Sequence, residues 1–284
     1  MPRSWPPPNA AWPKARNKCS IGTPQNNPSE ANLNTKTSRF FPPPRAVFLF
    51  DVDNTLLDND RVIADLEKYL EKEVGPRGAR QYWKFFEELR DELGYADYLG
   101  ALQRYRAKYP HGLRLLTISR FLINYPFADR LFPNSLEVLA HCRQWGPTVL
   151  LSDGDVVFQP RKIDCSGLCD AVEGRVLIYV HKELELADVA RRHPARHYVM
   201  VDDKLRILAA MKKVWRARVT TVFVRQGHYA TDPRITAAHP AADITLERIG
   251  DLLNYDELSF PPCGRTAAAP APGRPVRTPV RPGR

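Results

Sequence analysis

Residues 46–60 read AVFLFDVDNTLLDND. Ala46 to Phe50 form a short apolar run, rich in β-prone residues, that stops abruptly at Asp51. Such a run bounded by turn residues predicts a buried strand. A second acid, Asp53, follows two positions later. Two carboxylates this close repel one another, and neither ionises freely unless a cation or basic group is held beside them.

Downstream of this strand the pattern is helical. Val62, Leu66, Tyr69 and Leu70 recur at three- and four-residue spacing, as do Tyr82, Phe85, Phe86 and Leu89. Tyr95, Tyr98, Leu99, Leu102 and Tyr105 make a third stripe, and Leu115, Ile118, Leu122 and Ile123 a fourth. Gly75-Pro76, Gly94 and Pro110-His111-Gly112 punctuate them as helix ends. After Pro133 the pattern changes to alternation. Apolar runs at 148–152, 174–180, 197–201 and 219–224 are separated by helical stretches at 134–145, 159–168, 183–193 and 204–216, with a last short strand and helix within 242–253. Strands alternating with helices of about ten residues predict an α/β fold, a Rossmann-like parallel sheet with helices on both faces. The expected organisation is a core of 46–58 and 133–255, interrupted by an all-helical insert at 59–132.

The ends differ in composition. Residues 1–45 hold ten of the 26 prolines and residues 261–284 seven more, so 1–45 and 256–284 read as disordered tails. The tails also carry the charge: the chain is +10, whereas residues 46–260 sum to −1. The basic balance therefore argues for solvated tails rather than nucleic-acid binding, apart from non-specific contact by those tails. No run approaches the length of a membrane span, and the N-terminus lacks the apolar region of a secretory signal. Of five cysteines (Cys19, Cys142, Cys165, Cys169, Cys263), Cys165 and Cys169 sit four apart, but no second Cys/His pair completes a metal cage, so they read as buried or idle thiols, which suits a cytoplasmic protein.

In open parallel sheets, ligands bind at the carboxyl ends of the strands. The first strand ends at Asp51, the second at Ser152, the third at His181-Lys182 and the fourth at Asp202-Asp203. Asp51, Asp53, Asp202 and Asp203 stay ionised together only around a cation, and a set of oxygen ligands without Cys or His suits Mg2+. Ser152 offers a hydroxyl donor and Lys182 a compact positive charge, a suitable pair for phosphoryl oxygens. One carboxylate can attack phosphorus, and a second can protonate the leaving group and then deprotonate water.

The segment FDVDNTLLD resembles the first motif of the haloacid dehalogenase (HAD) superfamily, Asp-x-Asp-x-Thr after an apolar strand. VLLSD is similar to the second motif, Lys182 ahead of a helix resembles the third, and YVMVDDK the acidic fourth. They occur in the family's order across 46–204. The resemblance implies a phosphatase of a small phosphorylated metabolite, with Asp51 as nucleophile and Asp53 as general acid/base whose backbone carbonyl meets Mg2+. It implies Thr55 as the turn-supporting residue, Ser152 and Lys182 as phosphate binders, and Asp202 as a metal ligand, with Asp203 acting through water or on Lys182. Lys162 is a rival for the lysine role. Asp153 and Asp155 are solvated turn residues or an outer metal shell. The helical insert resembles a cap domain, and Asn59, Arg61, Lys84 and Arg120 are candidate substrate contacts.

Other reactions share this framework. Haloacid dehalogenases use the same nucleophile without metal, but that branch lacks the second acid, so Asp53 argues for phosphoryl transfer. A phosphonate hydrolase needs a cap lysine, for which Lys68, Lys72, Lys84 and Lys108 are open, and a sugar-phosphate mutase shares all four motifs. A non-catalytic binding module is the remaining alternative. A calcium loop at 51–62 fails because Leu56 stands where glycine is needed and Val62 where glutamate is needed. No glycine-rich nucleotide loop is present.

Overall fold

Along Ala46–Phe50 (β1) side chains alternate between the two faces of a sheet, and every one of them is buried. Ala46, Phe48 and Phe50 join one apolar cluster, Val47 and Leu49 another. A strand covered on both sides needs apolar residues at every position, which is why its sequence shows no polar alternation. The computed structural model describes residues 44–110 and 114–260. The bulk of both expected tails, with Cys19 and Cys263, lies outside the described residues.

The chain leaves β1 through a tight loop into the helical insert: α1 (Asn59–Leu93), α2 (Tyr98–Lys108) and α3 (Leu115–Ile123). Gly75-Pro76, expected as a helix end, is a break inside α1. Gly75 takes φ 73 and ψ 168, outside helical space, and Pro76 restarts the helix. Proline suits that position because the first helical N–H has no intrahelical acceptor anyway. Gly94, at φ 80, ends α1, and the Asp97 side chain caps α2 by accepting the Gly100 N–H at 2.7 Å. Leu66, Leu70, Tyr82, Phe86, Ala101, Ile118 and Leu122 fill the insert, and Tyr69 stacks on Phe121 at 4.3 Å.

The core continues through α4 (Ser135–Arg143), β2 (Thr148–Asp153), α5 (Phe158–Cys165), α6 (Leu168–Ala171), β3 (Val176–Tyr179), α7 (Leu186–Arg192), β4 (His197–Asp202), α8 (Leu205–Trp215) and β5 (Val219–Val224). Two short helices, α9 (Gly227–Thr231) and α10 (Pro233–Ala237), precede β6 (Ile244–Leu246). The six strands form one parallel sheet in the order β3-β2-β1-β4-β5-β6. The chain runs outward from β1 to β3, crosses back to β4 and runs outward again, so the direction reverses between β1 and β4. Helices α4, α5 and α6 cover one face and α7 and α8 the other. The insert shares the first apolar cluster: Tyr98 lies 5.0 Å from Phe158.

Several boundaries differ from the sequence reading. The helix expected at 159–168 divides at Ser166-Gly167, where Gly167 takes φ 80. The stretch from 183 begins as a 3-10 turn, Lys182–Leu184, before α7. The core does not stop at 255: a further 3-10 turn at Glu257–Ser259 leads to Phe260, which is 4% exposed and packs edge-on against Phe48 at 5.6 Å. The reading of 256–260 as tail is corrected by that one aromatic. Cys142 and Cys165 are free thiols, but Cys169 is disulfide-bonded and so is not idle.

His197 opens β4, 2% exposed, with Nε2 2.9 Å from Thr220 Oγ1. Burial, reinforced by Lys212 and Arg218, pushes its pKa down to about 4. The unfolded chain takes up this proton near pH 6.5 and the folded chain only near 4, so the contribution of this group to stability is complete above 6.5 and is lost as pH falls towards 4. His197→Gln should show a smaller fall in Tm than the wild type across that window. An equal fall would show that His197 titrates as freely folded as unfolded.

Candidate active site

The Asp51 N–H donates to Val201 O at 2.9 Å, extending the β1–β4 ladder one residue beyond β1. The chain then turns sharply. Val52 O accepts from the N–H groups of Thr55, Leu56 and Leu57, and Asn54 sits at φ 63, a left-handed conformation that asparagine tolerates. The turn brings Thr55 back to Asp51. Its hydroxyl donates to Asp51 Oδ2 at 3.1 Å and accepts the Asp203 N–H at 3.1 Å, so one side chain ties the ends of β1 and β4 together.

The register explains the meeting of acids. Phe50 pairs with Val201, which sets Asp51 level with Asp202 on the neighbouring strand. One carboxylate oxygen from each of Asp51, Asp202 and Asp203 lies within 4.8 Å of the others, and all three residues are buried. Asp202 Oδ1 accepts the Lys204 N–H at 2.8 Å. Neither carboxylate oxygen of Asp203 has a hydrogen-bond partner among the described residues. Burial pushes Asp202 up to about 6 against the pull of Lys182, and pushes Asp203 well up against Lys204. An unpartnered buried carboxylate is costly, and an all-oxygen cluster of this span suits a hard cation whose ligand bonds are about 2.1 Å. Asp51, Asp202 and Asp203 therefore fit Mg2+. The expectation of four carboxylates around one cation is corrected: the Asp53 carboxylate turns to Lys162 instead, which leaves only its backbone carbonyl, as the family resemblance implies, for the metal.

Two lysines reach the acids from different elements. Lys182, 1% exposed at the end of β3, hydrogen-bonds Asp51 Oδ1 and lies 2.8 Å from Asp202 Oδ2 and 3.2 Å from Leu151 O. Burial disfavours its charge, but Asp202, Asp51 and Asp153 outweigh that and raise its pKa. Lys162, the rival, extends from α5 to Asp53 Oδ1 at 2.6 Å and Asn59 Oδ1 at 2.9 Å. Each lysine thus holds one of the two acids that follow β1. Lys204, to which sequence reasoning assigned no role, is raised by Asp203, Asp51 and Asp202 despite burial and lies 5.0 Å from the Tyr229 ring centroid. Its signal was its place directly after the acidic pair.

Ser152 lies at the same sheet edge, 1% exposed, and its Oγ accepts from Gln159 Nε2 at 2.9 Å. Gln159 also went unrecognised, since nothing in the sequence sets it apart from a solvated helix residue. Asp153 accepts the Lys182 N–H at 2.7 Å, and Asp155 accepts the N–H groups of Val157 and Phe158, capping the start of α5. These two acids thus anchor backbone at the edge of the site.

A cavity of about 330 Å3 opens between insert and core above this edge, lined by Asp53, Asn59, Tyr98, Phe158, Lys204 and Tyr229 among others. Of the four candidate contacts in the insert, Asn59 reaches it. Arg61, Lys84 and Arg120 are exposed and do not line it, and the first two pair with Asp65 and Glu88. At the cavity rim, a Cβ on Gly94 would meet the His181 ring at 2.7 Å, so a larger residue there would displace that ring.

A family model described as haloacid dehalogenase-like hydrolase matches residues 46–214. Among solved structures, a haloacid dehalogenase-like hydrolase from Burkholderia xenovorans LB400 is 65% identical, with a TM-score of 0.73, over 75% of this chain and all of that one. An L-2-haloacid dehalogenase from Xanthobacter autotrophicus shares the fold at 18% identity, with a TM-score of 0.50, over 74% of this chain and 97% of that one. A comparison with curated proteins returned no match.

Lys182→Met should remove the charge that Asp51 and Asp202 share. Deleting one partner of a buried pair costs about 3–5 kcal/mol, so urea unfolding in chelator should show a loss of that order. A loss below about 1 kcal/mol would mean that the carboxylates are already neutral.

Proposed function

The chain belongs to the haloacid dehalogenase-like hydrolase family, and from that premise we propose that it is a Mg2+-dependent phosphatase of a small phosphorylated metabolite, working through an aspartyl-phosphate on Asp51. The observation that carries this reading is Asp53. It lines the cavity outside the acid cluster, with Oδ1 anchored by Lys162. Phosphate-ester cleavage needs a proton delivered to the leaving oxygen, and halide departure does not.

In this reading Lys182 and the Ser152 hydroxyl bind the phosphoryl oxygens. The Asp51 carboxylate attacks phosphorus, and the bond to the ester oxygen breaks. Asp53 gives its proton to that oxygen. It then takes a proton from the water that attacks the phosphoryl-aspartate, which releases phosphate and restores both acids. Thr55, bonded to Asp51 Oδ2, keeps the nucleophile from rotating. Asp51, Asp202, Asp203 and the Asp53 carbonyl would hold Mg2+, which would supply positive charge to offset the crowding of carboxylates and phosphate. The insert covers the site and limits bulk water, which strengthens each of these electrostatic contacts. Lys68, Lys72, Lys84 and Lys108 do not line the cavity, which counts against a phosphonate hydrolase that needs a lysine there.

Purified protein should hydrolyse p-nitrophenyl phosphate with Mg2+ and stop when chelator is added. Asp51→Asn should lower turnover at least about 10³-fold. Chloride release from 2-chloropropionate, with no phosphate release from any ester, would replace phosphatase by dehalogenase. Separately, Mg2+ should raise the Tm of the wild type and leave that of Asp203→Asn unchanged. An equal shift in both would remove Asp203 from the metal site.

A further inference from the structure

Lys182 occupies the place beside Asp51, which leaves the second buried lysine without a part in binding phosphate. Lys162 is 1% exposed, and its ammonium group donates to Asp53 Oδ1 at 2.6 Å and to Asn59 Oδ1 at 2.9 Å. The same group lies 5.4 Å from the centroid of the Phe158 ring. An ammonium group is costly to bury unless it is paired and hydrogen-bonded, and these three partners meet that need. Asn59, 8% exposed as the first residue of α1, holds the lysine from the side away from Asp53. A side chain packed in this way has little freedom to swing off the carboxylate.

The two oxygens of Asp53 differ as a result. Oδ1 accepts from Lys162, so a proton on that oxygen would face an N–H. Oδ2 makes no hydrogen bond among the described residues, and Asp53 lines the cavity with its side chain 25% exposed. Any proton that Asp53 delivers therefore sits on Oδ2. Rotation about the last torsion of an aspartate is broad and roughly two-fold, so an unanchored carboxyl group would let the two oxygens trade places. The bond from Lys162 opposes that exchange.

We infer that Lys162, backed by Asn59, is a positioning residue that fixes the Asp53 carboxyl group so that Oδ2 protonates the oxygen of the leaving group. This rests on the phosphatase reading and deepens it. In the first half of the reaction the bond from Asp51 to phosphorus forms and the bond from phosphorus to the ester oxygen breaks. The Oδ2 proton moves to that oxygen, and Asp53 is left as a carboxylate paired with the Lys162 ammonium group. Misplacing the acid matters most when the departing oxygen holds its charge poorly, and least when the leaving group is a stable anion. A lysine needed only for packing would affect both kinds of ester alike.

The test compares phenyl phosphate with p-nitrophenyl phosphate in the presence of Mg2+. Their bodies are similar, but phenolate is the poorer leaving group. The readout is the ratio of the two kcat/KM values, which covers the steps up to departure of the phenol and does not depend on the fraction of active protein. Lys162→Met should lower kcat/KM about 10²-fold for phenyl phosphate and less than about 5-fold for p-nitrophenyl phosphate. Lys162→Arg, which keeps the charge and the donors, should recover part of the difference. Lys162→Gln is too short to span both partners; it should shift the ratio in the same direction and stands in if Lys162→Met folds poorly. Equal losses on the two esters, or no loss on either, overturn the proposal and leave the phosphatase reading standing. Failure of the wild type to hydrolyse either ester brings down both.

Discussion

One buried ammonium group organises the molecule. Lys182 lies between Asp51 on β1 and Asp202 on β4, in a place that water does not reach. Adjacent parallel strands bring those acids together whether or not anything neutralises them, because their register is set by backbone hydrogen bonds. Two ionised carboxylates at strand spacing in a poorly polarisable interior would oppose that register. The ammonium group relieves the opposition, and its own burial is offset by the acids. Asp203 adds a third carboxylate that has no donor among the described residues, and whose burial disfavours its charge until a cation is held beside it.

The geometry around this pair shows a division of labour between the acids after β1. Asp51 faces the cluster through Lys182 and Thr55, whereas Asp53 faces the cavity through Lys162 and Asn59. Two lysines from different elements share the task, Lys182 on Asp51 and Lys162 on Asp53. The insert completes the arrangement. Asn59 begins α1 and touches Lys162, and Tyr98 in α2 packs on Phe158 at the start of α5. The apolar contacts that hold the insert against the core thus begin at the residues that hold Asp53.

Much of this was legible in the sequence because it depends on local signals. Apolar runs ending in Asp51, Ser152 and Asp202 mark strands and their carboxyl ends, and parallel pairing then brings those ends to one edge. Lys182 follows by the same logic, as the residue just past a strand. The role of Lys162 was not legible. It lies inside a helix, and only the long reach of its side chain across from α5 places it on Asp53, a separation of 109 residues. Phe260 was hidden by its Pro-rich neighbours, because composition averages over a stretch and a single buried aromatic does not change the average. The contact between His228 and Asp60 left no local signal either, since the two lie 168 residues apart.

The contact between Gly94 and the ring of His181 has a consequence for the shape of the enzyme. The end of α1 faces the His181 ring on the loop that carries Lys182, and Gly94 adds no side chain of its own between them. Gly94 also lines the cavity, so bulk added there would take room from a guest as well as from the ring. A methyl group at this one position would press on the His181 ring and strain a backbone held at φ 80, without altering any atom of the acids or lysines below.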